Sequence, residues 1–509
     1  MRLTEKELED LVHNGEKGHF EGKDASGGLP DSLWETYSSF ANTDGGVIVL
    51  GLQEVEHKLT IHGIVDPAAL IKQFWDDVNN REKTNTNILV DHNVYSICCQ
   101  GKHLVVIEVP RSNRRVRPVY IGKDVFEGCY RRNGEGDYKC SRDTVLAMLR
   151  DSCVETADTA IVESLTVKAL NAETIQRYRM RFANHKPTHT WCHLSNEEFL
   201  VKIGAVRSDE DEILRPTIAG LVCFGNFIDI IATLPNYFVD YRECQSDETR
   251  WSDRVCAQDG TWSGNIFDFF FMIRDRLLAD VKKPFAIADD NVSRIEDTDV
   301  HKSVRELLAN ALIHTDYYGR RGIVIEKRFR HLKFSNPGAM LMSVEDAVSG
   351  GNTEPRNTTI FNIFSLVEVG ERSGMGLSNL LGVCDRYGFD RPLITETFDP
   401  DRTIVELEVE SCKRKQRGKT TRHPYKTRTK PVQSTRTKPV QSDGLQDCSS
   451  SVKRTYAELC KDGTLTIRAL SSKLNLNKDS VMVAVGTLVK HGYIRRVGSK
   501  RAGHWEVVK

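Results

Sequence analysis

Apolar positions along the chain recur at helical spacing in some stretches and fuse into short unbroken runs in others. The alternation of the two predicts a mixed α/β and α+β protein of several domains. Leu33, Trp34, Tyr37 and Phe40 share one helical stripe, after which Asn42-Thr-Asp-Gly-Gly46 turns the chain into the apolar run 47–52. That run is short and rich in Val and Ile, as a buried strand is. Further strands are expected at 94–98, 104–109, 118–121 and 128–132. Between 157 and 291 the pattern is mixed: 165–183 has helical spacing, 217–224 fits a buried strand or helix, and 237–242 reads as a strand. The stretch 297–410 opens on a strong helix and carries strands at 322–327, 331–334 and 403–409. Near the C-terminus three short helices are expected, at 455–459, 467–474 and 480–491, then strands at 493–497 and 504–508.

Composition narrows the class. A chain of 509 residues suggests three to four domains, and 39% hydrophobic with 28% charged residues fits globular domains. No run reaches the roughly 18 apolar residues of a membrane span. The charged start MRLTEKELEDLV has no apolar core, so no secretory signal is expected. Thirteen cysteines without a C-x-x-C pair argue against a disulfide scaffold and a Cys-rich zinc site. A soluble cytoplasmic protein is expected. Its net charge of zero hides an asymmetry, because 411–442 holds eleven Lys/Arg and no Asp/Glu. Within it, TRTKPVQS at 427–434 repeats identically at 435–442. Such a stretch cannot build a core; it either attracts polyanions or simply solubilises a tether. The expected division is 1–150, an intervening 157–291, 297–410, a disordered basic linker 411–451, and 452–509.

The candidate chemistry is densest in 297–410. In HKSVRELLANALIH (301–314), Val304, Leu307, Leu308, Ala311 and Leu312 form a core-facing stripe. Glu306 and Asn310, four apart, stack on a neighbouring face. An acid and an amide so placed can hold a water and a Mg2+ ion beside a triphosphate, although solvent alone also produces a polar face. Two glycine turns, Ser335-Asn-Pro-Gly338 and Gly370-Glu-Arg-Ser-Gly-Met-Gly376, would let backbone amides approach phosphates. Their spacing is not that of a Walker loop.

The order RELLANALIH, SNPG, GERSGMGL resembles the divergent ATPase domain at the C-terminal end of RecG-like and AlbA-linked bacterial proteins, a relative of the GHKL group. The resemblance implies a GHKL-like α/β sandwich that binds ATP. It makes Glu306 the water-activating acid and Asn310 the magnesium ligand. Asn336 and Gly338 would lie at the adenine side, Gly370, Ser373, Gly374 and Gly376 at the phosphate side, and 350–369 would be a mobile lid. The acid that reads the adenine amine in those relatives is replaced by Ser335-Asn336-Pro337. His314, Asp316 and Tyr317, just past the helix, either contact a ligand or cap the helix end.

Near the N-terminus, Glu16 and Glu21 stand five apart, Lys23 points to the same side of a strand as Glu21, and Glu54 follows the run 47–52. Converging acids beside a lysine could hold a divalent metal for phosphodiester cleavage, but these spacings are also those of an ordinary surface. E-x-K, then FANTDGGVIVLGL, then RPVYIG and GCYRRNG resembles the Schlafen AlbA-type domain. That resemblance implies either a nuclease using Glu16, Glu21 and Glu54 with Mg2+ or Mn2+, or a nucleic-acid-binding platform. In the second case Arg111, Arg114, Arg115, Arg117, Arg131 and Arg132 would form a phosphate-contacting surface.

The C-terminal order helix–helix–helix–hairpin resembles a winged helix-turn-helix. Its third helix, with Lys478 and Ser480 at its start, would enter the DNA major groove, and Lys490, Arg495, Arg496, Lys500 and Arg501 would meet phosphates. Three functions are carried forward. One is an ATP-binding, homo-oligomeric protein whose nucleotide state controls DNA or RNA binding, acting as a transcriptional regulator or antiviral defence factor. The others are a metal-dependent RNase or DNase switched by ATP, and an ATP-driven scaffold.

Overall fold

The computed structural model describes residues 2–15, 18–55, 58–244, 251–279, 299–328, 331–351, 354–370, 376–409, 450–462, 464–474, 478–490, 493–497 and 504–507. The chain divides into two bodies, Met1–Gln416 and Arg417–Lys509.

The first body begins with a four-stranded sheet. Phe20–Lys23 runs parallel to Gly46–Leu50, which pairs antiparallel with Lys102–Val109, and that strand pairs with Val94–Cys99. The parallel pair needs a crossover, supplied by the helix Ser32–Asn42. Side chains of Gly46–Leu50 alternate between two cores. Ile48 and Leu50 pack with Leu33, Tyr37, Phe40 and Phe74, while Val49 packs with Leu8, Phe20 and Tyr95. Both faces are covered, which is why the run is apolar without alternation. The expected single strand 47–52 is two, because the chain turns at Gly51 into the hairpin Leu52–Val55 with Lys58–Ile61.

The expected strand at 118–121 forms only isolated bridges, Tyr120 with Cys129 and Ile121 with Thr84. Side chains of the crossover helix hold it instead. Asn42 Nδ2 donates to the carbonyls of Val119 (2.7 Å) and Tyr130 (3.0 Å), and Asn42 Oδ1 accepts from the Val119 amide (2.9 Å). Ser38 Oγ donates to Val119 O at 2.7 Å and accepts from the Tyr130 amide at 3.0 Å. Asn42 of the FANTDGG motif and Ser38 just before it thus pair buried backbone groups of Val119 and Tyr130.

The larger sheet draws its strands from two of the expected stretches. Its six strands run in the order Asp253–Cys256, Val239–Cys244, Ile323–Arg328, His331–Pro337, Arg402–Glu408, Leu393–Thr397, with only Val239–Cys244 and Ile323–Arg328 parallel. Two strands from the expected intervening segment therefore complete the sheet of 297–410. Helices Ile218–Phe224 and Ile266–Leu278 share one apolar core with Asp299–Ile313. Ile266–Leu278 reads IFDFFFMIRDRLL, and its buried Phe267, Phe269 and Phe270 face more than one neighbour. A helix of that kind is an interior element, so 157–291 is not a body of its own.

The second body contains Ser450–Lys461, Ile467–Leu474 and Lys478–Lys490, followed by the antiparallel pair Ile494–Val497 and His504–Val507. Val481, Ala484, Val485 and Leu488 give the third helix an apolar face against Leu459, Leu470 and Ile494. The expected linker lies outside the described residues as far as 449. No described helix is long and apolar enough to cross a membrane.

Replacing Asn42 by Ala strands buried groups of Val119 and Tyr130. The Asn42→Ala protein is expected to lose about 2 kcal/mol of stability, read as a lower urea midpoint at unchanged slope. An unchanged midpoint would remove Asn42 from this role.

Candidate functional site

A solvent-open cleft lies beside the helix Asp299–Ile313. The buried stripe Val304, Leu307, Leu308, Ala311 and Leu312 seats this helix in the core. Glu306 and Asn310 remain half-buried at the cleft edge. The lining also includes Asn336, Thr403, Glu354 and the first residue of the helix Gly376–Tyr387. Apolar side chains of Leu341, Phe361, Ile394 and Val405 complete it. The cleft thus has a polar edge and an apolar floor, as small-molecule sites do.

Gly376 lies directly on the acid. A Cβ there would sit 2.9 Å from Glu306 Cγ and 3.0 Å from Oε1, so any larger residue would displace the carboxylate. Asn336 is nearly buried, and its Nδ2 makes a 3.3 Å bond to the Pro337 carbonyl. Four of the sequence-derived residues, Glu306, Asn310, Asn336 and Gly376, therefore share one cleft. Ser373 and Gly374 lie outside the described residues. Gly370 packs against Ile313 and is not in the lining.

Gly338, expected at the adenine side, makes room for a buried arginine. Its φ is +99°, and a Cβ would fall 2.4 Å from Arg356 Nη1. Arg356, missed in the sequence, is buried. Its guanidinium donates to both Asp151 oxygens at 3.0 Å and to the carbonyls of His314 and Ala339 at 2.6 Å. A conspicuous signal for it was absent, since Asn352-Thr-Glu-Pro-Arg356 reads as a polar loop.

The expected lid 350–369 is largely interior. Thr358–Ser365 is a helix whose Ile360, Phe361, Ile363 and Phe364 enter the main core. Asp158 accepts the Thr359 and Ile360 amides at 2.9 Å, and Asn357 Nδ2 donates to the Ile313 and Thr315 carbonyls. A segment so packed and capped is part of the scaffold.

At the N-terminal site, Glu16 lies outside the described residues. Glu21 is buried with both oxygens engaged, Oε1 by Lys23 Nζ at 2.7 Å and Oε2 by Arg132 Nη2 at 2.8 Å. Arg132 also binds Asp137 at 2.9 Å. Glu54 is exposed on its hairpin. Among the described residues, the metal-capable grouping is Glu5, Glu9 and Cys99, and it includes neither Glu21 nor Glu54.

The expected phosphate-contacting arginines are mostly turned inward, which corrects their reading as a surface. Arg114, Arg117, Arg131 and Arg132 are buried. Arg131 makes a two-pronged bond to Asp401 at 2.8 and 2.9 Å, Arg117 donates to Leu341 O at 2.7 Å, and Arg114 donates to Asp151 O at 2.7 Å. Burial, with Arg111 and Arg131 nearby, pushes the Arg117 guanidinium down to about 9. Arg115 alone of the set is exposed. In the second body Arg495 pairs with Glu506 at 2.6 Å. Lys478, Ser480, Lys490 and Arg496 lie on its helix and hairpin, but their side chains, like Lys500 and Arg501 altogether, are outside the described residues.

Comparison with known families gives three matches. Residues 16–141 match the family model described as Schlafen, AlbA_2. Over that stretch the chain is similar to the Schlafen AlbA_2 domain. Residues 323–405 match the model described as "Putative ATP-dependent DNA helicase recG C-terminal", and 146–240 match DUF8451, a domain of unknown function. The second match starts beyond Glu306 and Asn310, so their place rests on the cleft. Among solved structures, the chain is similar to the DIP2311 protein of Corynebacterium diphtheriae, with 16% identity, TM-score 0.40, and coverage of 96% of this chain and 92% of that one. The N-terminal domain of a "Putative ATP-dependent DNA Helicase RecG-related Protein" from Nitrosomonas europaea is 26% identical, with TM-score 0.21, covering 27% of this chain and 90% of that one. No curated protein matches the chain. Within the Schlafen AlbA_2 domain, the buried Arg117, Arg131 and Arg132 come from the stretch whose motif suggested it.

His314 lines the cleft, and burial with Arg356 beside it pushes its imidazole down from 6.5 to about 4. The unfolded chain then binds a proton that the folded one refuses, so stability is full above pH 6.5 and falls as pH drops toward 4. A His314→Gln protein is expected to show a shallower loss of melting temperature across that window. Parallel curves would exclude His314 as the cause.

Proposed function

We propose that the cleft binds ATP with Mg2+ and that nucleotide state controls how the protein holds nucleic acid. The supporting observation is the meeting of Glu306, Asn310, Asn336 and Gly376 in one cleft with an apolar floor. The donor set fits the group: a carboxylate and an amide oxygen are hard ligands suited to magnesium (Mn2+ would also be accepted). Asn310 would hold the metal, whose charge would stabilise developing negative charge on the phosphates. Glu306 would orient water at the start of the helix Gly376–Tyr387, where phosphate oxygens would meet free amides and a favourable dipole. Gly370, Ser373 and Gly374 would complete the phosphate side and Asn336 the base side of a GHKL-like sandwich.

Nucleic acid would be held by the second body, read as a winged helix, and by the basic stretch 411–442. Lys478 and Ser480 would approach bases, while Lys490, Arg496, Lys500 and Arg501 would approach phosphates. A transcriptional regulator or antiviral defence factor, working as a homo-oligomer, fits this arrangement. The metal-dependent nuclease reading is disfavoured by the engagement of Glu21 with Lys23 and Arg132, since a carboxylate bound to two cations is a poor metal ligand.

Two measurements test this function. Glu306→Gln should still bind ATP, while phosphate release falls by about 100-fold; equal rates would take Glu306 out of turnover. Deleting 411–509 should weaken duplex DNA binding and flatten its dependence on salt. Unchanged binding would move the nucleic-acid role to the first body.

A further inference from the structure

The wall of the cleft at Ala339–Leu341 is held from behind by another part of the molecule. Ala339, Met340 and Leu341 all line the cleft. Their carbonyls are bound in succession by three guanidinium groups: Ala339 O by Arg356 Nη2 at 2.6 Å, Met340 O by Arg111 Nη2 at 2.6 Å, and Leu341 O by Arg117 Nη2 at 2.7 Å. The Met340 amide donates to Glu396 Oε1 at 2.5 Å. No backbone–backbone hydrogen bond reaches 339–342 among the described residues, because the stretch lies past the end of His331–Pro337. Side chains alone fix its position.

Arg111 and Arg117 come from the Schlafen AlbA_2 domain. Arg111 also binds Asp44, within the FANTDGG motif, and Ser112 is tied to Ala41 O through its amide (2.9 Å) and hydroxyl (2.7 Å). Arg117 is buried and makes no ion pair among the described residues; its guanidinium donates to Leu341 O. Moving that carbonyl would strand a buried charged donor, which is costly, so the wall and the arginine must move together.

We propose that Arg111 and Arg117 are positioning residues of the nucleotide cleft, through which occupancy of the cleft is transmitted to the Schlafen AlbA_2 domain. The inference rests on the cleft being a nucleotide site. Ligand in the cleft packs on Met340 and Leu341, fixes the wall, and so restricts the segment 111–119 and the Asn42 network behind it. Conversely, anything that binds the N-terminal domain and shifts 111–119 alters nucleotide affinity by the same factor.

The test uses the full chain, a non-hydrolysable ATP analogue and Mg2+. Hydrogen exchange of the wild type should show added protection at 304–314, at 339–342 and also at 111–119 when the analogue binds. Arg117→Met and Arg111→Met should weaken analogue binding about fivefold or more and abolish the added protection at 111–119, whereas Arg115→Ala, at the exposed neighbour, should not. Binding with protection confined to 304–314 and 339–342 would overturn the inference and leave the nucleotide site standing. No binding by the wild type would overturn both. The wild-type exchange pattern decides the matter even if the Met variants fail to fold.

Discussion

The architecture of the first body turns on one buried guanidinium. Arg356 joins the helix Arg142–Ser152 through Asp151, the end of Asp299–Ile313 through His314 O, and the cleft wall through Ala339 O. Gly338 leaves it room by having no side chain. Such a cation is tolerable inside a protein only when its donors are matched, and removing one partner costs about 3–5 kcal/mol. Arg356 also stands next to His314, whose neutrality it reinforces. Burial is the larger cause of that neutrality, and the residue that makes the junction adds to it.

Around Arg356 the two halves of the first body meet through polar groups. The apolar clusters of the N-terminal domain stay separate from the main core spanning 162–409. Ion pairs cross between them, Arg131 with Asp401, Arg150 with Asp316, Arg320 with Asp143, and Arg114 with Glu354, beside the bonds of Arg111 and Arg117 to the Met340 and Leu341 carbonyls. Polar junctions of this kind pack with directional bonds, so they have discrete arrangements more readily than an oily seam does. A cleft wall attached to that junction is well placed to feel it.

The legible parts of the fold were those that local periodicity controls. The stripe in 301–314, the run at 47–52 and the C-terminal helix spacing all reflect burial set by neighbours a few residues away. The same holds for the Glu306–Asn310 pair, because four residues on a helix always stack. Long-range pairing was not legible: nothing local indicates that Val239–Cys244 pairs with Ile323–Arg328 across a long stretch of chain. Nor does an arginine-rich run reveal its partners. Arg114, Arg117, Arg131 and Arg132 look like a phosphate surface until Asp401, Asp137, Glu21 and the carbonyls of Leu341 and Asp151 are seen in their places. The lid failed for a related reason, since a resemblance supplies a role for a segment but not the Phe361 and Phe364 that bury this one.

That internal use of arginine bears on where a polyanion could be held. Cations already bonded to carboxylates release few counterions when they meet phosphates, and they would have to break buried bonds first. The first body's inward arginines are therefore poor phosphate ligands. The stretch 411–442, by contrast, holds eleven Lys/Arg and no Asp/Glu. In the structure the guanidinium groups of Arg111 and Arg117 are taken up by the carbonyls of Met340 and Leu341 in the cleft wall.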